Sequence, residues 1–279
     1  MADNASSGDI QAVRRVAHIL RLFSESARGI SVAEAAERTG LNRSTTHRYF
    51  STMVAEQILE RDRDEPSTYV PGRLMLDLGT IAQGQRRVLE VAPPHMRALS
   101  KATNLTVTLS LWSFFGPIVS LVAEPSTHPA LLTVRVGSRL GTESAQTRLF
   151  LALSQEEGIA EPFLTPLAPR DRQALEASFA EIRATGVCRV NLANIDAVGI
   201  AAPVFDHHDI AATLALLGTV SALSVTGSPQ EEALADAAAR ITAEMGGAET
   251  ARRLTAVSAA GKAPDPGRPG GPGRPAQLK

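Results

Sequence analysis

The apolar residues at the start of the chain recur at helical spacing and are interrupted by two short polar breaks. The apolar positions of the first segment are 13, 16, 17, 20 and 23. They predict an amphipathic helix that begins at Gln11 and ends near Arg28 and Gly29. The segments 32–38 and 42–57 predict a second and a third helix of the same compact core. The third helix would turn four residues inward, Tyr49, Phe50, Met53 and Val54.

The break between the second and third predicted helices is typical of a helix-turn-helix corner. Ser31 and Glu34 form a capping box ahead of the second helix, and Asn42 is a favourable N-cap for the third. A connection of about three to four residues, here centred on Gly40, fits a helix-turn-helix, whose second helix enters the major groove with its first residues. An ordinary helical hairpin is the alternative interpretation of this pattern.

The first residues of the third helix carry hydrogen-bond donors and no carboxylate. Arginine can make a bidentate contact with a guanine edge, so Arg43 and Arg48 are the leading candidates for base or backbone contacts. Serine and threonine suit phosphate or less discriminating base contacts. The supporting candidates are Ser44, Thr45, Thr46 and His47.

Two short strands are predicted after the third helix, at 58–61 and 68–71, around a polar turn. Such a pair makes a wing, whose tip can reach the phosphate backbone beside the groove. Arg61 and Arg63 are the wing candidates, and the neighbouring acidic residues rank them below the helix contacts.

The segment from Arg73 to Val88 again has an apolar stripe, made of Leu74, Leu78, Ile81 and Val88. It predicts a helix that stops before Pro93 and Pro94. A helix between two domains with such a stripe is best interpreted as a linker and dimer contact. The alternative is that the stripe packs only on its own domain.

The second half of the chain predicts a sheet domain of the α/β or α+β class with a cavity-prone face, so that the whole chain is of the α+β class. Segments rich in β-branched and apolar residues predict strands at 106–112, 118–123, 131–136, 197–205 and 211–220. Helical patterns predict helices at 95–103, 144–153, 170–185 and 229–245, with a loop at 162–169.

The distribution of charged residues limits a DNA-binding surface to one segment of the N-terminal half. Residues 1–90 hold 12 Lys/Arg and 12 Asp/Glu, so a basic domain is excluded and a local basic surface is required. The segment 38–55 supplies it, because it contains three arginines and no acidic residue. A run of Pro, Gly and Arg at 263–276 predicts a disordered cationic tail.

Catalysis, metal binding and cofactor binding are not expected. The single cysteine, Cys188, excludes an intramolecular disulfide and a multi-thiolate metal site. A hydrolase using Cys188 with His207 or His208 is the rival interpretation, although a cysteine in an apolar strand is more often core. The chain has no apolar run long enough for a membrane helix and no signal peptide, so a cytoplasmic protein is expected.

Several motifs together resemble the IclR family of bacterial transcriptional regulators. The N-terminal motifs are Ser-Val-Ala-Glu-Ala-Ala from Ser31, Thr-Gly-Leu-Asn-Arg-Ser-Thr-Thr-His-Arg from Thr39 and Tyr-Val-Pro-Gly-Arg-Leu from Tyr69. The C-terminal motifs are Val-Gly-Ser-Arg-Leu from Val136, Leu-Phe-Leu-Ala from Leu149 and Ile-Ala-Ala-Pro-Val-Phe-Asp from Ile200. A ligand-sensing module that acts through protein contacts is the second rival.

The resemblance implies a winged helix-turn-helix domain and a GAF-like effector-binding domain joined by a linker helix. It also implies homodimers, often paired into tetramers, that bind pseudo-palindromic double-stranded operators under the control of a small-molecule effector. The expected boundaries are a disordered N-terminus at 1–10, the winged helix-turn-helix at 11–71, the linker helix at 72–92, the effector domain at 93–247 and a disordered tail at 248–279.

The chain departs from the resemblance in its expected pocket. Members that bind small oxo-acids carry polar residues at positions that align with Arg189, Gly199, Ala215 and Leu217. Because a buried carboxylate needs hydrogen-bond donors, we expect an effector that is larger or more apolar. The candidate pocket residues are Ser110, Trp112, Phe114, Thr142, Gln146, Gly199, Leu217 and Thr219.

Overall fold

The chain folds into an N-terminal head, residues 10–71, and a C-terminal sheet domain, residues 105–260, connected by two helices. The computed structural model describes residues 10–24, 27–125, 134–192, 196–223 and 225–260, with side chains up to residue 254. The predicted N-terminal disorder and the Pro/Gly/Arg tail from 263 lie outside these residues. The architecture is the predicted α+β arrangement.

The head is a winged three-helix unit. Its elements are α1 (Gln11–Leu20), β1 (Ile30–Ser31), α2 (Val32–Thr39), α3 (Arg43–Ala55), β2 (Leu59–Arg61) and β3 (Thr68–Pro71). The three strands form an antiparallel sheet in the order β1-β3-β2. Phe50 is fully buried and meets the ring of Tyr69 edge to face, with centroids 4.8 Å apart. The wing is therefore packed directly on the inner face of α3.

Local capping fixes the corner between α2 and α3, as predicted. The Ser31 hydroxyl accepts a hydrogen bond from the Glu34 amide at 3.2 Å. Gly40 ends α2 in the left-handed region, with φ of 71°, where glycine carries no Cβ penalty. The Asn42 carboxamide oxygen accepts from the Thr45 amide at 2.7 Å and starts α3.

The end predicted for the first helix is wrong, because α1 stops at Leu20 and the chain turns at 21–22. Ile19 of α1 and Phe23, which directly follows the turn, are buried in the core of the head, with 0% and 8% of their surface exposed. Val13 is 64% exposed and lines an open groove between α1 and α3. The helical spacing of apolar residues extends to Phe23 although the helix ends at Leu20, because Phe23 also packs into the core.

The connection between the head and the sheet domain is two helices rather than one. They are α4 (Arg73–Gly84) and α5 (Arg87–Thr103). Pro93 and Pro94 do not separate the linker from the helix predicted at 95–103, since both lie inside α5. Burial of Ala92, Met96 and Leu99 on the sheet favours continuation, because each large apolar side chain stabilises by roughly 1.5–3 kcal/mol against about 3 kcal/mol for an interior proline.

The sheet domain is built on five antiparallel strands in the order β5-β4-β8-β7-β6. The strands are β4 (Thr106–Ser113), β5 (Gly116–Ala123), β6 (Cys188–Leu192), β7 (Ala197–Phe205) and β8 (Ile210–Thr219). The helices are α6 (Ala145–Leu153), α7 (Glu161–Leu164), α8 (Pro169–Thr185), α9 (Pro229–Glu244) and α10 (Ala248–Ala260). One face packs on α5 and α9, and the other packs on α6 and α8.

Four predictions for this half need correction or fall partly outside the described residues. The predicted strand 131–136 includes residues 131–133, which lie outside them, and 134–136 are not in a strand. The predicted loop 162–169 contains most of α7, and the strand β6 was not predicted. The tail expected from 248 is instead helical to 260, because Ala251 and Leu254 pack against the core on the α8 side.

Candidate DNA-binding surface and effector cavity

The first two turns of α3 present a donor-rich surface. Arg43, Ser44, His47 and Arg48 are exposed. Within the described part of the chain, no hydrogen bond or ion pair involves the guanidinium group of Arg43 or Arg48. Both cations are therefore available to phosphate oxygens or base edges.

Two predicted members of this surface are positioned differently. Thr46 is 0% exposed, and its hydroxyl donates to the Asn42 carbonyl oxygen at 3.1 Å. The predicted DNA contact through the Thr46 side chain is therefore wrong, because this position is the inward face of α3. Thr45 is half-buried beside Arg48 and Tyr49.

Ser51 extends the surface by one turn and was not predicted. Its hydroxyl lies 3.5 Å from Nδ1 of His47, and the residue is exposed. The spacing of four residues from His47 was the available signal, since residues i and i+4 share one helix face. Tyr49 and Phe50 separate Ser51 from the polar run 42–48 in the sequence, so only the helical spacing relates it to this surface.

The wing arginine is engaged within the wing. One terminal nitrogen of Arg61 donates to the Pro66 carbonyl oxygen at 2.7 Å, and the guanidinium lies 4.9 Å from the Tyr69 ring centroid. The Asp62 carboxylate accepts from the amides of Glu65 and Asp64, which lowers the pKa of Asp62. Arg61 thus braces the turn, and a phosphate contact by Arg61 would compete with that role.

A cavity of about 530 Å³ lies between the sheet and the start of α6. It contains three of the predicted pocket residues, Gln146, Gly199 and Leu217. Ala215 also lines it. Gly199, Ala215 and Leu217 are three of the four positions that align with the polar residues of oxo-acid binders. All three face the cavity, and none has a polar side chain. The remaining lining residues are Thr108, Val134, Leu140, Glu143, Ser144, Ala145, Val190, Asn191 and Leu192.

Gln146 organises the polar part of the cavity. Its carboxamide oxygen accepts from the Thr108 hydroxyl at 3.2 Å, and its nitrogen donates to the Thr213 carbonyl oxygen at 3.0 Å. Gln146 is 4% exposed, and this pairing meets the requirement that buried polar groups be hydrogen-bonded. The Ser144 hydroxyl accepts from the Gln146 amide at 3.2 Å, which fixes the first turn of α6 against the cavity.

Five predicted pocket residues do not line this cavity. Trp112 packs between Phe150 and Phe163, with ring centroids 5.3 and 5.5 Å away. Ser110 is fully buried near the sheet centre, and its hydroxyl has no hydrogen-bond partner among the described residues. Thr142 accepts from Arg148 through its carbonyl oxygen, and Thr219 pairs with Ser221. The fifth is Phe114, which is 72% exposed at the β4–β5 hairpin.

Arg189, the fourth position aligned with the polar residues of oxo-acid binders, points away from the cavity. Its guanidinium lies 3.9 Å from the Glu231 carboxylate. Because neighbouring residues of a strand face opposite sides, Val190 lines the cavity instead. Thr108, Val190 and Leu192 were missed because only the strand order of the folded sheet places them together.

The thiol of Cys188 is unsuited to nucleophilic chemistry. It is 5% exposed within the core on the α8 side, and burial raises its pKa to about 11. The rings of His207 and His208 lie on the β7–β8 turn with centroids 6.5 Å apart. No group of three or more potential metal ligands occurs among the described residues.

The described helices include none with the length and apolar character needed to cross a membrane. A winged helix-turn-helix head joined to a cavity-bearing sheet domain defines the class of winged helix-turn-helix transcriptional regulators. The chain belongs to the IclR family of this class. Residues 12–63 match the model of the IclR helix-turn-helix domain, and residues 82–243 match that of the bacterial transcriptional regulator IclR C-terminal domain.

Relatives of known name support the same assignment. The chain is 29% identical to the HTH-type transcriptional regulator BhcR of Paracoccus denitrificans over 214 residues, which are 72% of this chain and 74% of that protein. It is 24% identical to the transcriptional repressor IclR of Escherichia coli over 163 residues, 58% of this chain and 59% of that protein. The protein is therefore a DNA-binding transcriptional regulator of the IclR type.

Solved structures share the fold. An IclR family transcriptional regulator from Brucella abortus superposes with a TM-score of 0.71 at 20% identity, covering 85% of this chain and 93% of that chain. An IclR homolog complexed with 4-hydroxybenzoate from Microbacterium hydrocarbonoxydans superposes with a TM-score of 0.67 at 24% identity, covering 84% and 98%.

Proposed function

We propose that the protein binds a pseudo-palindromic operator as a homodimer, through the exposed front of α3, and that a small molecule in the sheet-domain cavity modulates this binding. The observation that carries the DNA part is the exposed set Arg43, Ser44, His47 and Arg48, with both guanidinium groups uncommitted. Arg43 and Arg48 supply base or phosphate contacts, and Arg61 supports the wing.

The exposed stripe on α4 supports the homodimer. Leu74, Leu78 and Ile81 are 38%, 51% and 59% exposed and share one face at spacings of four and three residues. Leu76, which is 70% exposed, lies on the opposite side of α4 and is not part of this stripe. An apolar face of this kind next to the head suits a second copy of the chain, which would set the distance between the two recognition helices.

The effector is proposed to be larger or more apolar than a small oxo-acid. The cavity volume of about 530 Å³ lies within the range of roughly 300–1,000 Å³ that holds drug-sized ligands. No lysine or arginine occurs among the described residues that line the cavity, and Gly199, Ala215 and Leu217 supply no hydrogen-bonding side chain. The polar lining residues are Thr108, Gln146, Glu143, Ser144 and Asn191, and Gln146 is already bonded to Thr108 and Thr213. An aromatic or aliphatic body with a few hydrogen-bonding groups and no carboxylate therefore fits best.

Two experiments test this function. Selection of DNA fragments by the purified protein should recover two half-sites related by a dyad, and binding should weaken steeply with salt. A thermal-shift panel should contain phenol, benzyl alcohol, 4-hydroxybenzoate and pyruvate. We expect phenol and benzyl alcohol to raise Tm and to change operator affinity, whereas pyruvate should do neither. 4-Hydroxybenzoate should stabilise less than phenol, because no described lining residue is a cation that could pair with its carboxylate. Stabilisation by pyruvate alone would refute the effector class.

A further inference from the structure

The tip of the β4–β5 hairpin is a platform shared by the head and the sheet domain. Phe114 and Phe115 form this tip, with ring centroids 4.9 Å apart and planes at 85°. Arg21 of the head lies over the Phe114 ring at 4.0 Å from its centroid. Arg139 of the sheet domain lies over the Phe115 ring at 4.3 Å. Two adjacent rings therefore carry one cation from each part of the protein.

Arg139 also contacts the head directly. Its Nη2 atom donates a hydrogen bond to the Phe23 carbonyl oxygen at 2.7 Å. The Phe23 side chain is 8% exposed in the core that also holds Phe50 of α3. The carbonyl that Arg139 holds therefore belongs to a packed part of the head, and its position follows that of the recognition helix.

The segment that carries Arg139 is also a wall of the cavity. Leu140 lines the cavity, and its amide donates to the Pro117 carbonyl oxygen at 3.0 Å. The Leu140 carbonyl oxygen accepts from the Thr147 hydroxyl at 3.2 Å. Arg139 itself forms a bridge with Ile118 of β5. A ligand that displaces Leu140 must therefore also move the backbone of Arg139 or strain these bonds.

We propose that Arg139 is a positioning residue that sets the orientation of the head and transmits the occupancy of the cavity to it. The inference rests on the proposed function, because it assigns a route from the effector cavity to α3. The contacts lie at exposed side chains, where cation–π and charged contacts are individually weak. A ligand with a modest preference for one arrangement can therefore shift the head between arrangements.

The orientation of the head can be measured without DNA or ligand. Glu37 on α2 and Asp236 on α9 are exposed, and the native cysteine is buried, so spin labels can be attached at Glu37→Cys and Asp236→Cys. Double electron–electron resonance on labelled protein diluted with unlabelled protein then reports the distance within one chain. We expect one narrow distance peak for the otherwise unaltered protein.

Arg139→Ala should remove the narrow peak and broaden the distribution. Arg21→Gln, an exposed change on the opposite side of the platform, should broaden it as well, and thermal unfolding of both variants checks that they fold. Arg170→Ala removes an exposed arginine of the sheet domain distant in sequence from the contact and should leave the peak unchanged. An unchanged peak in both Arg139→Ala and Arg21→Gln overturns the positioning role.

Filling the cavity tests the transmission step. Gly199→Leu adds a side chain to the cavity wall and should shift the mean distance, and Arg139→Ala in the same chain should abolish that shift. No shift in Gly199→Leu, or the same shift with and without Arg139, overturns the transmission. Failure of operator binding by the unaltered protein would refute the proposed function and leave the distance measurements intact.

Discussion

The carboxamide oxygen of Asn42 accepts a hydrogen bond from the Thr45 amide at 2.7 Å and thereby caps the N-terminus of α3, the end that we propose to contact DNA. We expect Asn42→Ala to destabilise the protein by about 1 kcal/mol, the usual cost of losing an N-cap. Denaturant titration measures this loss. Asn42→Asp separates stability from DNA binding, because aspartate caps equally well but places a negative charge near phosphate. Stability should be retained and operator affinity reduced.

Arg48→Ala should weaken operator binding by about 1–3 kcal/mol if its guanidinium makes a bidentate base contact, and Arg43→Ala gives the parallel test. A variant that loses a phosphate contact should instead bind all sequences more weakly and show a reduced salt dependence. Gel-shift titration at fixed salt measures both. Arg170→Ala is the matched control, since it removes the same charge from the sheet domain. Equal affinity for all four proteins contradicts the assignment.

The buried thiol of Cys188 predicts that the stability of the folded protein depends on pH in the alkaline range. Burial raises its pKa from 9.0 to about 11, so the folded protein keeps the thiol protonated at a pH where the unfolded chain has begun to release the proton. The stabilisation is complete below the unfolded pKa and is lost as pH rises towards the folded value. Unfolding experiments between pH 8 and about 11 should show that Cys188→Ala reduces this alkaline loss of stability.

Thiol alkylation provides an independent readout for Cys188. At pH 8 the native protein should react slowly and the denatured protein quickly, since the thiolate is the reactive form and the native thiol is buried. Rapid alkylation of the native protein would show that the thiol is accessible and would reopen the nucleophile hypothesis.

The recognition helix was predictable because its information is local. Asn42, Gly40 and the run of donors stand next to each other in the sequence, and each has a conformational preference of its own. Local sequence gave the wrong prediction at Thr46, because this polar residue lies in a donor-rich run but faces the core. Local sequence also predicted a helix end at Pro93. Pro93 lies inside α5 instead, because burial of the surrounding residues outweighs the preference against a proline within a helix.

The cavity was predictable only in part because its wall is assembled from distant strands. Gly199 and Leu217 are directly paired across β7 and β8, and both were predicted only through the resemblance to the family's pocket positions. Thr108 joins them only because β4 lies beside β8 in the sheet. A sequence does not display that strand order, and Trp112, predicted as a pocket residue, packs instead between Phe150 and Phe163.

The stripe on α4 predicts a dimer that one charge can dissociate. Leu78→Arg should shift the protein from dimer to monomer, because it places a cation at the centre of an apolar contact between copies. Sedimentation velocity over a range of concentrations measures the shift. Gln83→Arg adds the same charge on the opposite side of α4 and should remain dimeric. A dimer of unchanged stability in Leu78→Arg would place the interface elsewhere.

The effector cavity can be closed at its glycine. A Cβ atom at position 199 would lie 3.5 Å from Cδ2 of Leu217, an ordinary van der Waals distance, so Gly199→Ala should fold normally. Gly199→Leu extends further into the cavity and should abolish the Tm increase produced by any aromatic compound that stabilises the unaltered protein. Gly199→Ala is the matched control and should retain most of that increase. Equal stabilisation of Gly199→Leu would mean that the compound binds outside this cavity.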